Sequence, residues 1–333
     1  PTPELRSPAE IDGQIMIQPE RLKPGDTIMF VAPAGDLDEE RMLRARDRLE
    51  SIGYRVRMRD DLFAVDGYLA GSDNRRAEEL MQAFLDPEVD AIFSGTGGYG
   101  TMRILERLDY AKIRANPKIV IGFSDITALH LALNRQAGLV SFHTPNPMWG
   151  LGSEEGMKPF TEEYFRRLLV ADEEVEQDGY TMQVPREAPQ IVTLGKGKVV
   201  GRLAGGNLSM ISALEGTPFA IDTRDAILLI EDVREAPYRV DRMLRQLQLS
   251  GKLQTLQGAV LGQFTRNYDR EEDQTTEDPR FTVDGVLRQY FEPLGIPVLM
   301  NFPVGHHPYN ASLPLGAMVE IDATKGTLRV LPH

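Results

Sequence analysis

Residues 118–130 read KIVIGFSDITALH. An apolar, β-branched run ends at Ser124 and Asp125 and passes at once into a helix-like pattern, which is the strand, turn and helix unit of α/β proteins. The segments around it repeat the rhythm. TIMFVAPAG (27–35) predicts a buried strand closed by Pro33 and Gly35, and DEERMLRARDRLESIG a helix with Met42, Ala45, Leu49 and Ile52 at helical spacing and Gly53 as its stop. YRVRMRD predicts a more exposed strand. SDNRRAEELMQAFLDP predicts a helix capped by Ser72 or Asp73, with Leu80, Met81, Phe84 and Leu85 on its apolar side and Pro87 ending it. VDAIFSG predicts a third strand leading into GTGGYGTMRILERL; after the opening stretch and its helix DITALHLALNRQAG, LVSFHTP predicts a fifth. The fold class expected is α/β, with a parallel sheet flanked by helices.

From about residue 151 the pattern changes. The helix TEEYFRRLLV gives way to the acidic ADEEVEQDG and then to short strand candidates, YTMQVP, QIVTLG and GKVVGRL. AILLIED, GAVLGQF, AMVEIDA and TLRVLP predict further strands, YRVDRMLRQLQLSG and DGVLRQYF helices. The expected division is an α/β domain over 1–172, a linker over 173–190 and a strand-rich mixed α/β domain over 191–333, which leaves a cleft between two lobes.

Composition excludes several classes of function. With 333 residues, 41% hydrophobic and 26% charged, the chain has the make-up of a soluble globular protein. A formal charge of -13 without a basic run gives counterion-release binding of nucleic acid no source, so small-molecule or peptide partners are expected. The absence of cysteine removes disulfides, thiolate nucleophiles and Cys-based zinc sites. The apolar runs fall short of the ~20 residues needed to cross a bilayer, and PTPELRSPAEIDGQ has no leader-like apolar stretch. A cytoplasmic protein is expected, with export the alternative because the chain begins at Pro1.

Ser124 admits two readings: N-cap of the following helix, or a hydroxyl exposed at a sharp strand-to-helix turn. The second needs a base, and the base needs an orienting acid. Of the five histidines, His130 lies between Leu129 and Leu131 in a helix and suits a packed role. His143 ends a strand at the sheet edge where α/β clefts open, and suits a structural hydrogen bond or a ligand contact. His333, the last residue, is expected to be mobile. His306 and His307, in the glycine- and proline-bounded loop FPVGHHPYN, are the best source of a base. For the acid, Glu231 stands out at the end of the apolar strand AILLIED; a solvated strand end, with Glu231 or Asp232 facing water, is the competing reading. The loop SGTGGYGT matches G-x-G-x-x-G through Gly95, Gly97 and Gly100, but after the third strand rather than the first, which weakens a dinucleotide reading. An oxyanion hole suits it better, with the N–H groups of Gly98 and Asp125 as donors and Gly97 and Tyr99 beside them; the alternative is a tight turn only.

Several stretches in one order, YLAGSDNRRAEELMQAF, GGYG, IGFSD, GRLAGGNLSMISALEGTP, LLIEDVREAPYRVDRML and GHHPYNASLPLG, resemble the serine LD-carboxypeptidases, the family of muramoyltetrapeptide carboxypeptidase and the microcin C immunity peptidases. The resemblance covers most of the chain. It implies Ser124 as nucleophile, Glu231 as triad acid and His306, not His307, as base, on two lobes with the site between them, in a homodimer. It also implies acyl transfer without metal or cofactor, on the amide bond between an L-centre and a terminal D-amino acid of a cell-wall tetrapeptide. A peptidyl-nucleotide substrate, or muropeptide binding without catalysis, are the alternatives. One departure stands out: family members often carry an arginine where this chain has Thr96, next to GGYG.

Overall fold

The structure is a computed structural model that describes residues 9–267 and 278–332, so the expectation for His333 lies outside the described residues. Two sheets organise the chain. The first has six strands in the order Leu313–Leu315, Ser141–His143, Ile119–Gly122, Ala91–Ser94, Thr27–Val31 and Arg55–Arg57. Neighbours run parallel except the first pair, where a strand from late in the chain lies antiparallel to Ser141–His143. Strand alternation sorts the core into two layers. Ile28 and Phe30 pack with Met42, Ala45 and Leu49 of helix Glu39–Ser51 and with Leu168 of helix Pro159–Leu169. Met29 and Val31 face Leu80 and Phe84 of helix Asp73–Leu85. With both faces covered, the strands read as unbroken apolar runs.

The second sheet has eight strands, ordered Tyr180–Thr181, Thr327–Val330, Met318–Asp322, Lys198–Asn207, Ala226–Val233, Gly258–Thr265, Val298–Met300 and Val192–Leu194. Its four strands from Lys198–Asn207 to Val298–Met300 run parallel, and the flanking ones antiparallel. The fold is therefore two α/β lobes, one mostly parallel and one mixed. Among the described residues no helix is long and apolar enough to cross a membrane.

Local differences from the sequence expectations have physical causes. Within the stretch read as a linker, Glu173–Asp178 is helical, capped by Asp172 and anchored by the buried Val175, and Tyr180–Thr181 pairs into the second sheet. TMRILER (Thr101–Arg107) forms a 3-10 helix whose N-cap position is Gly100, which has no side chain to cap it. The strand Lys198–Asn207 runs on through Gly205 and Gly206, both at positive φ, because a Cβ there would meet the Leu229 carbonyl at 1.9 Å and Thr127 Oγ1 at 2.6 Å.

One helix joins the lobes. In Thr127–Ala132, Leu129 belongs to the first-lobe core, whereas Ala128, Leu131 and Ala132 pack with Leu208, Leu228 and Ile230 of the second. Thr127 Oγ1 accepts the Asn207 N–H at 2.9 Å, which ties the end of one sheet to the turn that ends a strand of the other.

Candidate active site

Ser124 follows strand Ile119–Gly122 through Phe123, which is fully extended, and itself has φ +64°. A left-handed serine is strained backbone that the surroundings must hold in place. Ser124 is not a helix cap: it is the first residue of the 3-10 turn Ser124–Ile126, and no side chain caps that turn. The neighbours enforce the geometry. A Cβ on Gly122 would meet Ile126 at 2.8 Å, and one on Gly97 would meet Ser124 Cβ at 2.9 Å and the Asp125 nitrogen at 3.2 Å. His130, fully buried, holds the strand end: Nε2–H donates to the Gly122 carbonyl at 2.8 Å and Nδ1 accepts from the Ser141 hydroxyl at 2.8 Å. Burial pushes its pKa down to about 3, so it stays neutral.

The glycine loop lies against this turn. Asp125, buried, accepts the Thr101 N–H at 2.9 Å, and burial raises its pKa. Arg76, also buried, donates to the carbonyls of Pro33 and Gly100, each at 2.8 Å, so a guanidinium from helix Asp73–Leu85 braces the loop. Gly98, at φ +96°, is exposed, and Tyr99 is exposed with its ring edge-on to Tyr68. Thr96 is buried and its Oγ1 accepts the indole N–H of Trp149 at 3.1 Å; the Arg41 guanidinium lies 4.3 Å from the centre of that indole ring.

From the second lobe, Glu231 ends the apolar part of strand Ala226–Val233 opposite Asn207, at a register shift against Gly258–Thr265. It is fully buried. His306 stands between the two lobes' residues: Nδ1–H donates to Glu231 Oε2 at 2.6 Å, and Nε2 lies 3.1 Å from Ser124 Oγ. Gly305, at φ +118°, lets the loop approach, since a Cβ there would meet Glu231 at 2.8 Å. Asn310 Oδ1 accepts the Gly305 N–H at 2.9 Å and fixes the loop. Burial alone would raise the Glu231 pKa, but the neighbouring His306 and His143 hold it down at about 2. Burial alone would lower that of His306, and the Glu231 charge and hydrogen bond reverse this, leaving it raised.

Of the residues singled out in the sequence, Ser124, Glu231 and His306 therefore meet, with Gly97, Gly98 and Asp125 beside them. His307 does not join: its Nδ1 accepts the Tyr309 N–H at 3.1 Å. Asp232 is occupied by Asn207, Ser209 and Val233, and burial with the adjacent Glu231 charge pushes its pKa up to about 6. His143 makes no hydrogen bond among the described residues; its Nε2 lies 3.8 Å from Glu231 Oε1. The sequence reading missed Arg76 and Asn207. Only their places in YLAGSDNRRAEELMQAF and GRLAGGNLSMISALEGTP, two of the stretches that carry the resemblance, pointed to them. Among the described residues no group of three or more metal-binding side chains gathers.

Comparison with known proteins bears on the family. Residues 28–144 match the LD-carboxypeptidase N-terminal domain family and residues 200–321 the LD-carboxypeptidase C-terminal domain family. The chain is 36% identical over 310 residues to a probable murein peptide carboxypeptidase of Bacillus subtilis (strain 168), covering 93% of each. It superposes on the crystal structure of muramoyltetrapeptide carboxypeptidase from Oxalobacter formigenes with a TM-score of 0.75 at 29% identity, over 92% of this chain and 99% of that one. Against the microcin C7 self-immunity protein MccF in complex with aspartyl sulfamoyl adenosine the TM-score is 0.85 at 27% identity, over 95% and 99%.

Proposed function

The chain belongs to the LD-carboxypeptidase family of serine peptidases, and from that premise we propose that it removes the terminal D-amino acid from a cell-wall tetrapeptide through a Ser124, His306, Glu231 triad. The observation that carries the reading is the continuous hydrogen-bond path from Glu231 through His306 to Ser124, 2.6 Å and 3.1 Å long. His306 Nε2 takes the Ser124 proton as Oγ attacks the amide carbonyl, and Glu231 orients the imidazole and stabilises its cation. The carbonyl oxygen becomes an anion, with the N–H groups of Gly98 and Asp125 as its donors. On collapse the C–N bond breaks, His306 returns the proton to the departing amine, and water then hydrolyses the acyl-enzyme by the same route.

The strained φ of Ser124 supports a nucleophile over a packing role, since a serine needs no left-handed backbone to pack. Similarity to the Bacillus and Oxalobacter proteins supports a murein peptide as substrate. A cytoplasmic location and a homodimer are parts of the same reading. The likeness to MccF supports a second substrate class, a peptidyl nucleotide. Mass spectrometry after incubation with a muramoyl tetrapeptide tests the proposal: loss of one D-alanine, absent in Ser124→Ala, is expected. Turnover of a peptidyl-sulfamoyl nucleotide without D-alanine release selects the second substrate, and retained turnover in Ser124→Ala overturns the mechanism.

A further inference from the structure

Glu231 is walled by two glycines. A Cβ on Gly262 would lie 3.2 Å from Glu231 Cβ, and one on Gly305 would lie 2.8 Å from both Cβ and Oε2. Neither neighbour therefore offers a side chain to the carboxylate, and its two oxygens depend on groups farther off. They are served unequally. Oε2 takes the short 2.6 Å bond from His306. Oε1 has one long contact, 3.4 Å from Asn207 Nδ2, and that amide makes its shorter bond, 3.0 Å, to Asp232. A buried carboxylate oxygen without a close donor is costly.

On the open side stands His143. Its strand pairs with Ile119–Gly122, where Gly122 opposes it, and with Leu313–Leu315, where Leu313 does, so the backbone is fixed from both sides. The side chain is fully buried, and neither ring nitrogen has a hydrogen-bond partner among the described residues. Phe123 packs against it with ring centres 6.0 Å apart and against His306 at 4.9 Å, so one aromatic ring touches both imidazoles. The remaining titratable neighbour, His130, has both its nitrogens engaged with Gly122 and Ser141. An imidazole donor without a partner thus faces an oxygen without a close donor, 3.8 Å away.

We propose that His143 is a positioning residue for the reaction: as the Nε2–H tautomer it donates to Glu231 Oε1, so that the carboxylate is clamped through both oxygens while His306 gains and returns the proton. The proposal rests on the triad reading above. The gap must shorten by about 1 Å to reach hydrogen-bond length, the kind of tightening catalytic contacts undergo when substrate closes the site. On this proposal His143 acts through Glu231 alone.

A double-mutant cycle on the full chain tests this. His143→Phe, which keeps an aromatic ring and removes the donor, should lower kcat on the tetrapeptide ~10–100-fold with KM changed less than ~2-fold, on the scale expected when a catalytic group is misplaced by about 1 Å. His143→Gln, which restores an N–H, should recover most of that loss. In a Glu231→Gln background His143→Phe should cost less than ~2-fold, because its only route of action is gone. If His143→Phe does not fold, His143→Met against His143→Gln supplies the same comparison. Full kcat in the donor-less variant, no recovery by glutamine, or an undiminished loss in the Glu231→Gln background overturns the proposal. Full activity of Glu231→Gln itself overturns the triad reading instead, so the two failures are distinct.

Discussion

Ser124 and Glu231 sit at the ends of strands in different sheets, and the two lobes hold them by different means. On the first lobe the position is written in the backbone: φ +64° at Ser124, an extended Phe123, and glycines at 97 and 122 whose missing Cβ atoms make room for the turn. On the second lobe the position depends on charge. Glu231 is fully buried at a register shift in its strand, and the imidazoles of His306 and His143 beside it keep it ionised. Damage to the first half should move atoms and leave the pH dependence alone, whereas damage to the second should change which pH the enzyme works at.

The largest effects come from deleting the groups themselves, and they should be unequal. Ser124→Ala removes the attacking atom and should lower kcat roughly 10⁶-fold, while Glu231→Gln leaves nucleophile and base in place and should lower it roughly 10⁴-fold, by analogy with other serine triads. Equal losses, measured as initial rates of D-alanine release, would break the division between an atom that reacts and a charge that orients. Next in size is Gly97→Ala. Its Cβ would press on Ser124 Cβ at 2.9 Å and on the Asp125 nitrogen at 3.2 Å, so kcat should fall roughly 10²-fold through misplacement, with an unaltered pH optimum. A shifted optimum in that variant would mean that the two halves are not separable.

How far each half could be read in the sequence follows the same line. Parallel strands and their helices were legible because both faces of the first sheet are buried and the strands carry unbroken apolar runs, as in TIMFV and IVIG. The glycine loop and the serine turn were legible as motifs. Spacing could not show that Ser124 makes no cap, because the φ that excludes it is imposed by Gly122 and Gly97 packing around the turn. Nor could it decide between a functional and a solvated Glu231, or choose His306 over His307. Adjacent residues in a strand face opposite ways, and which one faces the serine depends on the register shift at Glu231 and on the loop fixed by Asn310. The resemblance supplied that choice. His143 was read for a structural hydrogen bond, and strand order alone could not reveal that it faces Glu231.

The pH dependence sharpens the charge-held half. His306 must be neutral to accept the serine proton, so kcat/KM should rise with pH through the His306 pKa. The burial that would lower that pKa is outweighed by Glu231 and Asp232, with Arg234 opposing them, so the acid limb should lie above the ordinary value of 6.5. In Glu231→Gln the raising charge is gone and desolvation prevails, which should move the limb to lower pH. An acid limb that stays in place would assign the titration to another group, and Asp232 is the one to examine.

The smallest effect is expected at Thr96, where the family often has arginine. Its hydroxyl accepts from Trp149, and the loop bracing that an arginine here could give comes instead from Arg76 through the Gly100 carbonyl. Thr96 is therefore read as a fastening of the backbone-held half. Thr96→Val, close in shape but lacking the acceptor, should lower stability by about 1 kcal/mol. It should leave kcat and KM within ~3-fold, since the loop keeps its bonds from Arg76 and to Asp125. A tenfold rise in KM with an unchanged melting temperature would move Thr96 from the scaffold into the substrate site.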